Sequence, residues 1–102
     1  MKNLNLIKNA LIASYVIHSN EFTREKTIES RNLLPELINN LKARYSAADL
    51  DKIGQLITYS NMLAFYRDYS AYIDYARKFR AIANELNLPD LVAGYVYIKR
   101  ED

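Results

Sequence analysis

The stretch Leu50 to Leu86, LDKIGQLITYSNMLAFYRDYSAYIDYARKFRAIANEL, has no proline and one glycine, Gly54. Read at about 100° per residue, it carries two apolar stripes. The first is Leu50, Ile53, Leu56, Ile57, Ser60, Leu63 and Ala64. The second is Tyr69, Tyr72, Ile73, Ala76, Phe79, Ala83 and Leu86. One more turn of the first stripe lands on Arg67, a charge that a core excludes. The two stripe centres lie roughly 110° apart on a continuous helix. A single helix over this stretch would be on the order of 55 Å long, against a radius of gyration near ~13 Å for a compact chain of this size. The phase break therefore predicts two antiparallel helices, reversing around Arg67-Asp68-Tyr69-Ser70, with Ser70 or Asp68 as the second cap.

The rest of the chain has to pack against that pair. With 102 residues it can close one core, so residues 1–102 read as a single helical-bundle domain. Half the residues are hydrophobic and a quarter charged, which opposes disorder. Glycine and proline number two each, too few for a β fold of tight turns. Cysteine is absent, which removes disulfides and thiolate metal sites and suits the cytoplasm. The start, MKNLNLIKNALIASYVIHSNE, carries a short apolar run interrupted by Ser14 and followed by His18 and Glu21. That run is short of the ~20 residues of a membrane span and lacks a cleavage site. It reads as a helix of a soluble protein.

In chain order, helix one is expected from about Leu4 to His18. It is apolar around so much of its circumference that it should sit deep between others. Helix two, Thr23 to Tyr45, contains Pro35, which removes a hydrogen bond and clashes with the preceding turn. The stripe Thr27, Ser30, Leu34, Leu37, Ile38, Leu41 and Tyr45 keeps phase across it. One kinked helix is preferred, and a split into two remains the alternative. Helix three opens after Ser46, a cap, and runs to about Tyr66; helix four runs from Ala71 to Leu86 and stops at Asn87-Leu88-Pro89. Leu11, Leu34, Leu37, Leu41, Ile53, Ile57, Leu63, Ala76, Phe79 and Ala83 are the expected core. The tail, residues 89–102, includes GYVYIKRED, with β-prone Tyr95 to Ile98 and no partner strand. It is expected to be non-helical and to fold back on the bundle with Lys99 to Asp102 frayed, and the other helices can close the core without Tyr95 to Asp102.

The residues offer little chemistry. His18 is the single histidine, at a helix C-terminus where its charge is favoured anyway. There is no triad, glycine-rich phosphate loop or metal-ligand spacing, so no enzyme, cofactor or metal is expected. Nine tyrosines stand out. Most should line the core boundary with the hydroxyl in water, but tyrosine also favours interfaces. Tyr66, Tyr75, Tyr95 and Tyr97 lie off the stripes or on the tail and are the candidates for contact. Arg77, Lys78 and Arg80 form a basic cluster on helix four, with Arg67 near its start, and on the tail Lys99 and Arg100 suit a rim near an anionic membrane surface. Basic residues among tyrosines suit a nucleic-acid surface, but Asp68, Asp74 and Glu85 dilute that field, and the net charge is only +2.

Taken as a whole, the order of elements resembles a known family. LPELINNLKARY is followed by DLDKIGQLITYSNMLAFY, a reversal, ARKFRAIANEL and the tail GYVYIKRED. This is similar to the immunity proteins of pediocin-like (class IIa) bacteriocins, the enterocin A immunity group. The similarity covers nearly the whole chain in length, helix order and hydrophobic phasing. It implies an antiparallel four-helix bundle in the cytoplasm that protects a cell from a pore-forming peptide. The implied partners are the bacteriocin together with the membrane component of the mannose phosphotransferase permease. The family has no catalytic motif, and its specificity lies in the C-terminal half, here Arg67 to Asp102. Within that half the expected partner-binding residues are Arg67, Tyr75, Arg77, Lys78, Tyr95, Tyr97, Lys99 and Arg100. A small nucleic-acid-binding regulator of a mobile element, or a generic helical adaptor, are the readings from other classes.

Overall fold

The computed structural model describes the backbone of residues 2–101 and the side chains of residues 4–99. Five helices follow in order: α1 (Lys2–His18), α2 (Arg24–Arg44), α3 (Ala47–Phe65), α4 (Ala71–Glu85) and α5 (Gly94–Glu101). The phase break at Arg67 is a reversal. The molecule measures 34 × 34 × 21 Å, too short for one helix through α3 and α4.

Local chemistry sets the ends. The Thr23 side chain accepts a hydrogen bond from the Lys26 amide at 3.2 Å, and Ser46 accepts from that of Asp49 at 3.2 Å. Both satisfy a first-turn donor that would otherwise have no partner in the helix. Ser70 occupies the cap position of α4 but makes no side-chain capping bond, so the expected cap there is positional only. At the other end of α4, Asn87 takes φ 61°, the left-handed region open to asparagine. The Leu88 amide then donates to the Ala83 carbonyl at 2.7 Å and that of Asn87 to Asn84 at 3.0 Å, closing the helix by a Schellman motif. Pro35 lies inside α2, which is one helix and not two. Pro35 is exposed, so the carbonyl deprived of its donor is open to solvent.

Two hairpins, α1–α2 and α3–α4, join through α1 against α3, and α5 lies across both α1 and α3. The first helix is the deepest element, as its all-round apolarity requires: Ile7, Ala10, Leu11, Ala13, Tyr15 and Val16 are buried. Leu37, Leu41, Ile53, Leu63, Phe79 and Ala83 are buried as expected. Leu34, Ile57 and Ala76 are half-buried, at the boundary of the core. The second stripe needs a larger correction. Tyr69 is 65% exposed and Ile73 58% exposed: Tyr69 lies in the reversal ahead of α4, and Ile73 sits on the flank of the stripe.

The tail also differs from expectation. It is helical from Gly94, and Leu91, Ala93 and Tyr95 belong to the core. β propensity at Tyr95 to Ile98 is overridden by burial against α1. A Cβ at Gly94 would lie 2.6 Å from the Leu11 carbonyl oxygen, so only glycine admits this approach. The buried Ser60 hydroxyl accepts the Gly94 amide at 2.7 Å, and Asn61 of α3 donates to Ser14 of α1 at 3.1 Å. On the outer side, the Lys8 ammonium sits 4.5 Å from the centre of the Tyr97 ring. The bundle is therefore closed by the tail and not merely covered by it.

The two glycines should respond oppositely to alanine. Gly94→Ala presses on backbone that cannot yield and is expected to cost about 1–3 kcal/mol. Gly54→Ala meets nothing within 4 Å in mid-helix and should stabilise by roughly 0.5–1 kcal/mol. Urea midpoints at constant slope measure both. Tyr95→Ala should cost on the order of 3–5 kcal/mol, so removal of residues 95–102 unfolds much of the population.

Candidate interaction surface

Tyrosines organise the surface around α3 and α4. Tyr59 and Tyr66 stand seven residues apart, two turns along one face of α3. Tyr75 of α4 lies between them, its ring centre 6.1 Å from Tyr59 and 5.9 Å from Tyr66. Tyr66 meets Tyr69 edge-on at 5.9 Å. Each such pair adds about 0.5–1.5 kcal/mol beyond its buried area, so this ladder holds the hairpin shut at the end where the apolar stripe runs out. The Lys78 ammonium is 5.9 Å from the Tyr59 ring at the other end. The upper rungs face solvent: Tyr66 is 44% exposed, and Phe65, at 53%, adjoins it at the close of α3.

A second tyrosine group lies inside. Tyr15 packs against Tyr95 at 6.1 Å and against Phe22 edge-on at 5.9 Å. Its hydroxyl donates to Glu21 at 3.1 Å, and the hydroxyls of Tyr72 and Tyr95 are 3.0 Å apart. This chain of rings ties α1, α4 and α5 together. Burial raises the Tyr95 phenol well above its ordinary value, and the bond to Tyr72 adds to this. Burial likewise raises Tyr15, which Glu21 reinforces. The Arg67 charge acts on both rings in the opposite sense, without cancelling the effect of burial.

Between α4 and α5 runs a cleft of about 150 Å³. Leu63, Tyr72, Ala76 and Phe79 line one side, and Leu91 to Ala93 with Val96 the other; Arg80 stands in its wall. A wider, shallow groove follows the outer face of α3 past Leu50, Gly54, Thr58 and Met62 to Tyr59.

The sequence-derived candidates separate into three places. Arg67, Arg77 and Lys78 are exposed and Tyr75 is half-buried, all on the α3–α4 hairpin. Lys99 is exposed on α5. Tyr95 is buried and bonded to Tyr72, so it anchors the tail and is not a contact residue. Tyr97 is half-buried under Lys8 and equally committed to the tail's packing. The Arg100 side chain lies outside the described residues. Tyr59, Tyr69, Phe65 and Ile73 were not among the candidates. Tyr69 and Ile73 continue the phase of a core stripe, and only the reversal's position turns them outward.

No family model matches the chain, and no curated protein or solved structure shows significant similarity to it. Among the described residues, no helix is long and apolar enough to cross a membrane, and no group of three or more His, Cys, Asp or Glu is placed to hold a metal ion.

The inner tyrosines give an alkaline signature. Their neutral form is stabilised by the fold, so that contribution is complete below about pH 10, the unfolded value, and is lost as pH rises through the higher folded values. Absorbance at 295 nm should show Tyr15 and Tyr95 ionising above the ordinary tyrosine value, together with loss of helix. Tyr95→Phe should remove one of these late steps.

Proposed function

We propose that this protein acts by binding and that it is a bacteriocin immunity protein, engaging a pore-forming peptide and its membrane receptor from the cytoplasmic side. The resemblance in helix order and phasing supplies the family. The observation that supports a contact function is the exposed upper end of the tyrosine ladder, with Phe65, Tyr66, Tyr69 and Ile73 all open to solvent on one hairpin end. Large apolar side chains gathered this way on a small bundle mark an interaction surface, and tyrosine is enriched at such surfaces. The charges around it alternate, Asp68 and Asp74 against Arg67 and Lys78. That suits a protein partner better than a polyphosphate backbone, which calls for a continuous cationic field.

The test is expression of the chain in a sensitive strain challenged with a panel of pediocin-like peptides. Survival against at least one of them is expected, and unchanged sensitivity to the whole panel overturns the reading. Tyr66→Ser combined with Tyr69→Ser should reduce protection at least tenfold. The double change also removes the Tyr66–Tyr69 and Tyr66–Tyr75 ring contacts, about 0.5–1.5 kcal/mol each, so stability should fall by about 1–3 kcal/mol. Circular dichroism checks that the helices persist.

A further inference from the structure

We propose that the cleft between α4 and α5 is a docking site for an acidic amphipathic peptide segment that inserts one apolar side chain. This rests on the binding function above and names the chemistry of the partner segment. Three observations lead to it.

The floor is apolar: Leu63, Ala76, Phe79 and Val96. Its volume, about 150 Å³, is below the ~300–1,000 Å³ of ordinary small-molecule pockets and suits a single leucine- or phenylalanine-sized anchor. A lipid acyl chain would not fit within it.

The charged side chain that lines the cleft is a cation; Asp90, next in sequence to Leu91, lines a different hollow with Leu4 and Leu88. On α4, Arg80 lines the cleft, and exposed Arg77 lies one turn before it on the same flank. On α5, exposed Lys99 is one turn beyond Val96. The acids of α4 are elsewhere. At about 100° per residue, Asp74 and Glu85 point roughly opposite to Ala76. Glu85 indeed pairs with Lys52 of α3 at 3.6 Å.

The cleft is also held open by construction. The Tyr72–Tyr95 hydroxyl contact bridges α4 and α5, while the Gly94 amide on Ser60 and the Leu11 approach fix α5 against the other helices. The two banks therefore cannot close on each other without breaking these contacts. An amphipathic helix with one large apolar residue flanked by glutamates one turn away complements such a site.

The probe is a synthetic, fluorescein-labelled helical peptide carrying one leucine anchor among glutamates. Its counterparts replace the leucine by alanine or the glutamates by lysines. Anisotropy with the full-length protein should show binding of the acidic leucine peptide. Affinity should fall at least tenfold for the alanine and lysine peptides, and fall with rising salt. Arg80→Glu should weaken binding at least tenfold. Ala76→Leu, which fills the cleft, should do the same without loss of helix, and amide shifts on titration should centre on Ala76 and Val96. Absence of binding, equal binding of all three peptides, or shifts centred on the tyrosine ladder overturns the proposal. So does equal weakening by Lys78→Glu, a cation outside the cleft. Stronger binding to phosphatidylglycerol vesicles than to any peptide, lost on Arg80→Glu, would assign the cations to a membrane and also overturn it. The immunity reading stands or falls separately. Protection that survives Arg80→Glu and Ala76→Leu rejects the cleft alone, and peptide binding without protection in any strain rejects immunity alone.

Discussion

The close approach of α5 to α1 is the contact on which the rest of the structure depends. At Gly94 the two backbones come so near that a methyl group would meet the Leu11 carbonyl at 2.6 Å. Burial there leaves the first amide of α5 in need of an acceptor, because no carbonyl inside its own helix can serve it. The Ser60 hydroxyl, fully buried on α3, accepts it. One glycine and one serine thus lock three helices at a point where two hairpins alone would leave α1 and α3 half-covered. An eight-residue helix has no stability of its own in water, so α5 exists because this seat exists.

Fixing α5 divides the tyrosines into two kinds. Tyr15, Tyr72 and Tyr95 become internal struts, with their hydroxyls paired to Glu21 or to each other. A buried phenol without a partner would cost about 1–3 kcal/mol, which accounts for the pairing of Tyr95 with Tyr72. Tyr59, Tyr66, Tyr69 and Tyr75 form the outer ladder, where the hydroxyl can reach water and the ring packs on the hairpin. The same residue type therefore closes the core on one side of the α3–α4 turn and builds an exposed surface on the other.

The amino-acid sequence by itself determined the number and order of the long helices. Two stripes out of phase across Arg67 require a reversal, and Ser46 and Thr23 are read as caps or helix starts from local chemistry alone. The unbroken stripe across Pro35 indicated one helix, because an exposed proline disturbs only its own turn. Burial of Leu11, Leu37, Leu41, Ile53 and Phe79 followed from periodicity. Arg77 and Lys78 are exposed on α4, as charge at a fixed helical phase requires. What only the tertiary structure decided is the fate of residues whose local preference and final surroundings disagree. Tyr95 to Ile98 prefer strand, yet α1 and α3 offer a groove for a helix and no edge for pairing. Tyr69 and Ile73 hold a core phase, yet Tyr69 falls in the reversal and Ile73 on the open flank of α4. Gly94 reads as a turn, and its role in letting two backbones touch depends on Leu11, far away in the sequence, which no local pattern records.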